Sequence, residues 1–240
     1  MRIVAIVQAR VGSTRLPAKI LLDLGGATAL QRCVDRVRRF RGLDEVIVAT
    51  TVRPEDDLVV ALARRLGVRC TRGSADDVLA RYVAAARAAA ADVVVRCTSD
   101  CPLLDPDIST QVIDAFTSSP CDYAANTLER RLPRGLDTEV VALDALVRVL
   151  AADPIPAERE HVTLGVYRRP GFRLRSVVPR PDLELGHLRW TLDTLDDYRM
   201  LAALFDELGS TAATASVDDI LAVLSRRPDL PALNANVPQK

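Results

Sequence analysis

Arg10, Arg15 and Lys19 place three cations within ten residues, in the stretch QARVGSTRLPAK that spans residues 8–19. Gly12, Ser13 and Thr14 lie among them as small, donor-rich positions. Forked guanidinium groups, an ammonium and backbone N–H groups are the donors that a compact polyanion such as a triphosphate needs together. Gly12 has the backbone freedom for close approach to phosphate oxygens. Lys19 stands out by type: it and Lys240 are the only lysines beside thirty arginines. A chain that uses arginine for its generic cations and keeps one internal lysine marks position 19 as wanting a compact ammonium. The stretch matches neither G-x4-G-K-[ST] nor G-x-G-x-x-G. On spacing alone, a solvated basic loop is the alternative.

Two aspartates could complement those cations. Asp100 follows the apolar run DVVVRCT in TSDCPLLDPD, and Asp193 closes LRWTLD. A carboxylate at such a position, facing a triphosphate, can hold Mg²⁺, which takes one or two carboxylates and fills its shell with phosphates and waters. Asp105 and Asp107, flanking Pro106, read better as a helix cap and a first-turn acid. Either Asp100 or Asp193 alone could equally be an N-cap. Together, in a sheet that also carries a cationic loop, they are the metal-ligand candidates. The five cysteines, 33, 70, 97, 101 and 121, read as buried thiols. Cys97 and Cys101 form C-x3-C without the second pair or histidine that a zinc site needs.

These residues need a frame to meet. RIVAIV is a continuous apolar run of buried parallel-strand type that ends at Gln8. Leu30, Val34 and Val37 fall at helical spacing through TALQRCVDRVRRF. EVIVAT predicts a second strand; Pro54 opens a helix with Glu55, Asp56 and Asp57 in its first turn and Leu58, Leu62 and Leu66 inward. VRCT, DDVLARYVAAARAAA and DVVVRCT continue the alternation, with a further helix near 107–118. Strand–helix alternation of this kind predicts an α/β fold with a mostly parallel sheet covered by helices on both faces. Ligands then sit beyond the carboxyl ends of the strands, at Gln8 to Lys19, near Arg72 to Asp77 and around Asp100.

The second half is less regular. CDYAANT and DTEVVAL predict an antiparallel excursion at 121–150; AEREHVTLGVYRR reads as helical, FRLRSVV and LRWTL as strands. Trp190 reads as core. The helix TLDDYRMLAALFDEL follows, then one that opens after Ser216 with Asp219 as an acidic capping box. Residues 1–240 show no repeat or linker and read as a single domain. Basic and acidic residues number 32 each, so no overall positive field attracts nucleic acid or an anionic membrane. No apolar run reaches the roughly 18 residues of a membrane helix, and the opening stretch is too short for a signal peptide. The expected setting is cytoplasmic.

The blocks MRIVAIVQARVGSTRLPAK, RGSADDVLARY, SDCPLLDP, PRGLDTE, EREHVT and HLRWTLDTLDD, in that order, resemble the cytidylyltransferases that make CMP-activated sugars, most closely the spore coat polysaccharide biosynthesis type. The likeness runs from Met1 to the RPDLPALNANV segment. Ala18 departs from it, since the family usually has Gly between Pro17 and Lys19. The resemblance implies a Rossmann-like, glycosyltransferase-A-like nucleotidyltransferase fold, a homodimer and transfer of CMP from CTP to a sugar or sugar acid. It implies that Gln8, Ala9, Arg10, Gly12, Ser13, Arg15 and Lys19 hold the nucleotide with Arg72 and Ser74, and that Asp100 and Asp193 hold Mg²⁺. Arg15, Lys19, Asp100 and Asp193 are the catalytic candidates. Arg134, Asp137, Glu139, Arg159, Glu160 and His161 are the sugar-binding candidates. The rivals are a glycosyltransferase or a nucleotidyltransferase of another nucleotide, and a non-catalytic nucleotide-binding protein of a polysaccharide pathway.

Overall fold

Buried β-branched runs make the centre of the molecule. The computed structural model describes residues 1–238. Among these, β1 (Ile3–Gln8), β2 (Glu45–Thr51), β3 (Arg69–Gly73), β4 (Val93–Thr98), β5 (Tyr123–Ala125), β6 (Glu139–Ala142) and β7 (Leu174–Ser176) form a seven-stranded sheet. Its order is β3-β2-β1-β4-β6-β5-β7. The first four strands are mutually parallel. β6 runs antiparallel to β4 and β5, and β7 parallel to β5. The sheet is therefore mixed but mostly parallel.

Alternate side chains of each strand feed opposite layers, because the period of a strand is two. Ala5, Val7, Val48 and Val95 pack with α1 (Ala29–Val37), α2 (Asp57–Arg65) and α4 (Pro106–Thr117). Val4, Ile6, Ile47 and Val94 pack with α3 (Val78–Ala88) and α5 (Leu143–Ala151) on the other face, joined by Val162 and Val166. A third cluster gathers Trp190, Leu192, Leu132 and Leu136 with α8 (Leu195–Leu208) and α9 (Val217–Arg226). Trp190 is thus core, as expected. The capping chemistry is as read: Asp105 accepts from the N–H groups of Asp107 and Ile108, and Ser216 and Asp219 cap α9 reciprocally.

Four expectations need correction. Leu58 is 55% exposed; a 3-10 turn over Pro54–Asp56 precedes α2 and resets its phase, so Val59, Leu62 and Ala63 face inward. LRWTL is not a strand: beyond one bridge between Arg134 and Arg189, it is an irregular buried segment. The 121–150 region is antiparallel only through β5 and β6; from Leu143 on it is α5, which follows β6 without an intervening breaker. AEREHVTLGVYRR divides into α6 (Pro156–Glu160) and α7 (Leu164–Arg168) around Val162, whose φ of 42° breaks the helix. A β-branched residue in that region is strained, at roughly 1–3 kcal/mol. Among the described residues no helix is long and apolar enough to cross a membrane.

Candidate active site

The loop after β1 is built by its own hydrogen bonds. Ser13 N–H and Ala18 N–H both donate to the Val11 carbonyl, at 2.8 and 3.1 Å, and Ser13 Oγ accepts from Leu16 N–H. Asp56, 1% exposed, anchors the loop from β2's side by accepting from Val11 N–H at 2.7 Å and from Thr51 Oγ1. Ala18 turns the chain with φ 55°, ψ 21°, at the start of the 3-10 turn Lys19–Leu21. Glycine takes this left-handed conformation freely and alanine does not, so the alanine here is strained.

That turn sends Lys19 into a cleft of about 480 Å³ at the carboxyl ends of β1 and β4. Lys19 Nζ donates to Asp100 Oδ2 at 2.6 Å and to Asp193 Oδ1 at 2.7 Å. Arg15 Nη2 reaches the same Asp193 oxygen at 2.8 Å. The two carboxylates lie ninety-three positions apart in sequence because the irregular segment 190–193 docks on Asp100: Leu192 N–H and Thr191 Oγ1 donate to the Asp100 carbonyl at 2.8 and 3.2 Å. The same segment meets the PRGLDTE turn, where Trp190 N–H donates to the Arg134 carbonyl. Gly135, with φ 112°, permits that approach, since a Cβ there would stand 2.5 Å from the Trp190 carbonyl oxygen.

The electrostatics follow the geometry. Burial opposes the charge on Lys19, but Asp100 and Asp193 outweigh it and raise its pKa above the ordinary lysine value. Burial likewise opposes ionisation of Asp193, and Lys19, Arg15 and Arg189 overcome it, holding the carboxyl below the ordinary aspartate range. Burial pushes Cys33 and Cys101 well up and Cys97 up to about 12, so these thiols stay protonated. Cys70 and Cys121 are only half-buried, contrary to the expectation for all five.

Of the residues singled out in sequence, Gln8, Ala9, Arg10, Ser13, Arg15, Lys19, Asp100 and Asp193 line this one cleft, with Arg134, Asp137, Glu139, Glu160 and His161. Asp137 and Glu139 are tied to the cleft wall. Asp137 pairs with Arg130 through two hydrogen bonds of 2.7 and 3.0 Å. Glu139 accepts from Tyr123 Oη at 2.7 Å and from Arg96 and Thr163.

Four candidates lie elsewhere. Gly12 lines a shallow notch beside Arg53 and Glu55, and its φ is not in the positive region. Arg72 donates to the Thr51 and Arg53 carbonyls and pairs with Asp57, so it braces the edge of the sheet. Ser74 Oγ accepts from the N–H groups of Asp76 and Asp77 and shapes the approach to α3. Arg159 pairs with Asp77 and Asp153.

The cleft also holds Cys101 and Arg189, and residues that the sequence did not mark: Arg81, Arg96, Thr98, Ser99 and Thr191. Arg81 falls within RGSADDVLARY, but as one of thirty arginines it carries no distinguishing signal. Gln8 Oε1, Arg81 Nε and Arg96 Nε are buried without a partner.

A mixed, mostly parallel α/β sheet with a cationic loop and two convergent aspartates at its carboxyl edge has the fold of the nucleotidyltransferases. Its fold is shared by CMP:2-keto-3-deoxy-manno-octonic acid synthetase, solved in complex with CTP, at 19% identity and TM-score 0.64 over 86% of this chain and 99% of that one. Residues 4–189 match the family described as cytidylyltransferase, and the chain belongs to that family. It is 32% identical, over 95% of both chains, to the spore coat polysaccharide biosynthesis protein SpsF of Bacillus subtilis. A cytidylyltransferase from Leptospira borgpetersenii superimposes with TM-score 0.90 at 31% identity, over 100% of this chain and 99% of that one.

Proposed function

We propose that the protein transfers the CMP group of CTP to a hydroxyl of a sugar or sugar acid, with release of pyrophosphate, in the making of a surface polysaccharide. The observation that carries this reading is Lys19 Nζ held between Asp100 and Asp193 with Arg15 alongside. The synthetase of the same fold that was solved with CTP supports the choice of nucleotide.

Arg10, Ser13, Arg15 and Lys19 supply donors to a triphosphate. A polyanion competes with the two aspartates for Lys19 and Arg15, and draws them away. The two carboxylates then face each other across the space that Lys19 filled, with Arg189 still on Asp193 Oδ2. They are separated by no more than the two hydrogen bonds they shared with Lys19, and they present hard oxygen donors suited to Mg²⁺. Asp100 and Asp193 would hold the ion, which when bound supplies charge neutralisation at the α-phosphate and acidifies the incoming hydroxyl.

In the reaction the acceptor oxygen forms a bond to the α-phosphorus and the bond to the β-phosphate oxygen breaks. Negative charge accumulates on the departing pyrophosphate, where Arg15 and Lys19 stabilise it. The hydroxyl proton leaves to a carboxylate or to water. The acceptor enters from the side of Arg134, Glu160 and His161, whose polar groups face the cleft. The same reading takes the working unit as a cytoplasmic homodimer, which light scattering of the purified protein checks.

The test is pyrophosphate release from each of four nucleoside triphosphates with Mg²⁺, against sugar acids and amino sugars. Release with CTP and one acceptor class is expected. A rise in melting temperature with CTP but no release across the whole panel would overturn the enzymatic reading in favour of a binding protein.

A further inference from the structure

Asp193 is held from behind as well as from the cleft. Its Oδ1 faces Lys19 and Arg15, while its Oδ2 accepts from Arg189 Nη2 at 2.7 Å. Arg189 is itself fixed, since Nε and Nη2 donate to Asp197 at 2.8 and 3.3 Å. Asp197 is fully buried and also accepts from the Asp193 and Thr194 N–H groups, at 3.0 and 2.9 Å. Asn234 closes the arrangement from the far end of the chain: its Nδ2 donates to the Arg189 carbonyl and to Asp197 Oδ1, both at 3.0 Å. Among the described residues Asp100 has no such backing, its carboxylate meeting Lys19 and, at 3.7 Å, the Cys101 thiol.

The plainer account is a helix cap. Thr194 and Asp197 do form the capping box of α8. Capping explains the bonds of Asp197 to Thr194, but not a buried arginine shared between Asp193 and Asp197, nor an asparagine brought from residue 234 to donate to the Arg189 carbonyl and Asp197. A bidentate guanidinium between two carboxylates fixes both distance and plane. Outer-sphere groups of this type orient ligating carboxylates and tune metal affinity.

We infer that Arg189, Asp197 and Asn234 are positioning residues that set the Asp193 carboxylate for the divalent cation which accompanies the triphosphate. The inference rests on the function proposed above. The clamp engages Oδ2 and leaves Oδ1 turned to the cleft, so the same oxygen that Lys19 holds becomes the one presented to the cation.

The experiment titrates Mn²⁺ into the full chain with a non-hydrolysable CTP analogue, and separately titrates the analogue in chelator, for Arg189→Lys, Asn234→Ser and Asp193→Asn. Arg189→Lys keeps the charge but loses the fork; Asn234→Ser removes one donor and leaves the ion pair. The expected result is a loss of about tenfold or more in Mn²⁺ affinity in both, with analogue affinity in chelator within about twofold of the parent. Loss of Mn²⁺ binding in Asp193→Asn carries the reading on which the inference stands. Retention there would remove that reading and the inference together. Parent-like Mn²⁺ affinity in Asn234→Ser and in whatever Arg189→Lys folds, against a sensitive Asp193→Asn, would overturn the inference alone, whatever the melting temperatures.

Discussion

At the loop end of the cleft, Lys19, Arg15, Asp100 and Asp193 are partly exposed and bind one another across the opening. At the opposite end, Asp137 is clamped by Arg130, and Glu139 lies buried under Arg96, Tyr123 and Thr163. Both ends are rich in charge, yet only the first can exchange its partners without dismantling a wall. The acidic residues of PRGLDTE line the cleft but are tied to its wall, Asp137 by Arg130 and Glu139 by Arg96, Tyr123 and Thr163. Burial opposes ionisation of Glu139, but Arg96, Thr163 and Tyr123 prevail and hold its carboxyl below the ordinary glutamate value.

The largest expected effect separates the two ends most sharply. Asp100→Asn should lower the rate of pyrophosphate release by at least roughly 100–1,000-fold while the melting temperature stays close to the parent's. Near-normal turnover would take Asp100 out of the reaction and blur the distinction. Glu139→Gln should do the reverse, lowering unfolding stability in urea by about 3 kcal/mol, because it leaves the Arg96 charge buried without its counterion. An unchanged unfolding midpoint would mean that the far end is not held by that pair.

Lys19→Met should weaken CTP binding about tenfold or more, the scale of one charge-assisted hydrogen bond. It should also strengthen Mn²⁺ binding in the absence of nucleotide, since the lysine no longer occupies the space between the carboxylates. Calorimetric titration of both ligands checks this, and weaker nucleotide-free Mn²⁺ binding would contradict the exchange.

Acid should find both ends. Asp193 and Glu139 ionise below their ordinary values of 3.8 and 4.5, so their stabilisation is complete above those values and is lost as pH falls through the lower folded ones. Lys19 is raised above 10.5, so its contribution is complete below that pH and disappears as pH climbs past the folded value. For these groups a melting-temperature profile should be flat from about pH 5 to 10 and fall below about 4; a decline that begins near neutrality would contradict it. The smallest effect is local. Ala18→Gly relieves about 1–2 kcal/mol of left-handed crowding but adds freedom to the unfolded chain, for a net gain of about 0.5 kcal/mol. Chemical denaturation resolves a change of this size, and a loss of stability would mean that the turn is not strained.

Much of the frame could be read from the chain because β1, β2 and β4 are built on apolar runs bounded by polar turns, while β3, the polar RCTRG, lies at the sheet's edge. LRWTL has the same composition and is no strand, since its buried backbone is satisfied instead by the Arg134 and Asp100 carbonyls. Nothing local announces those acceptors. Leu58 was misplaced by one short 3-10 turn, which no hydrophobic period records. In the site, the loop cations and two aspartates were legible from residue type at the sheet's carboxyl edge. Arg81 and Arg96 were not, because thirty arginines look alike until partners are known. Asp197 stands in the first turn of α8, where acids are ordinary, and its burial and its bonds to Arg189 and Asn234 distinguish it.

The docking of residues 190–193 on the Asp100 carbonyl also orders assembly. Chain order alone lets β1 to β4 and the loop of residues 8–19 form first, since all of them lie before Ser99, whereas the wall bearing Asp193 waits for residues 190–193. Up to that moment a nascent chain carries the cationic loop and Asp100 without the second carboxylate that meets Lys19.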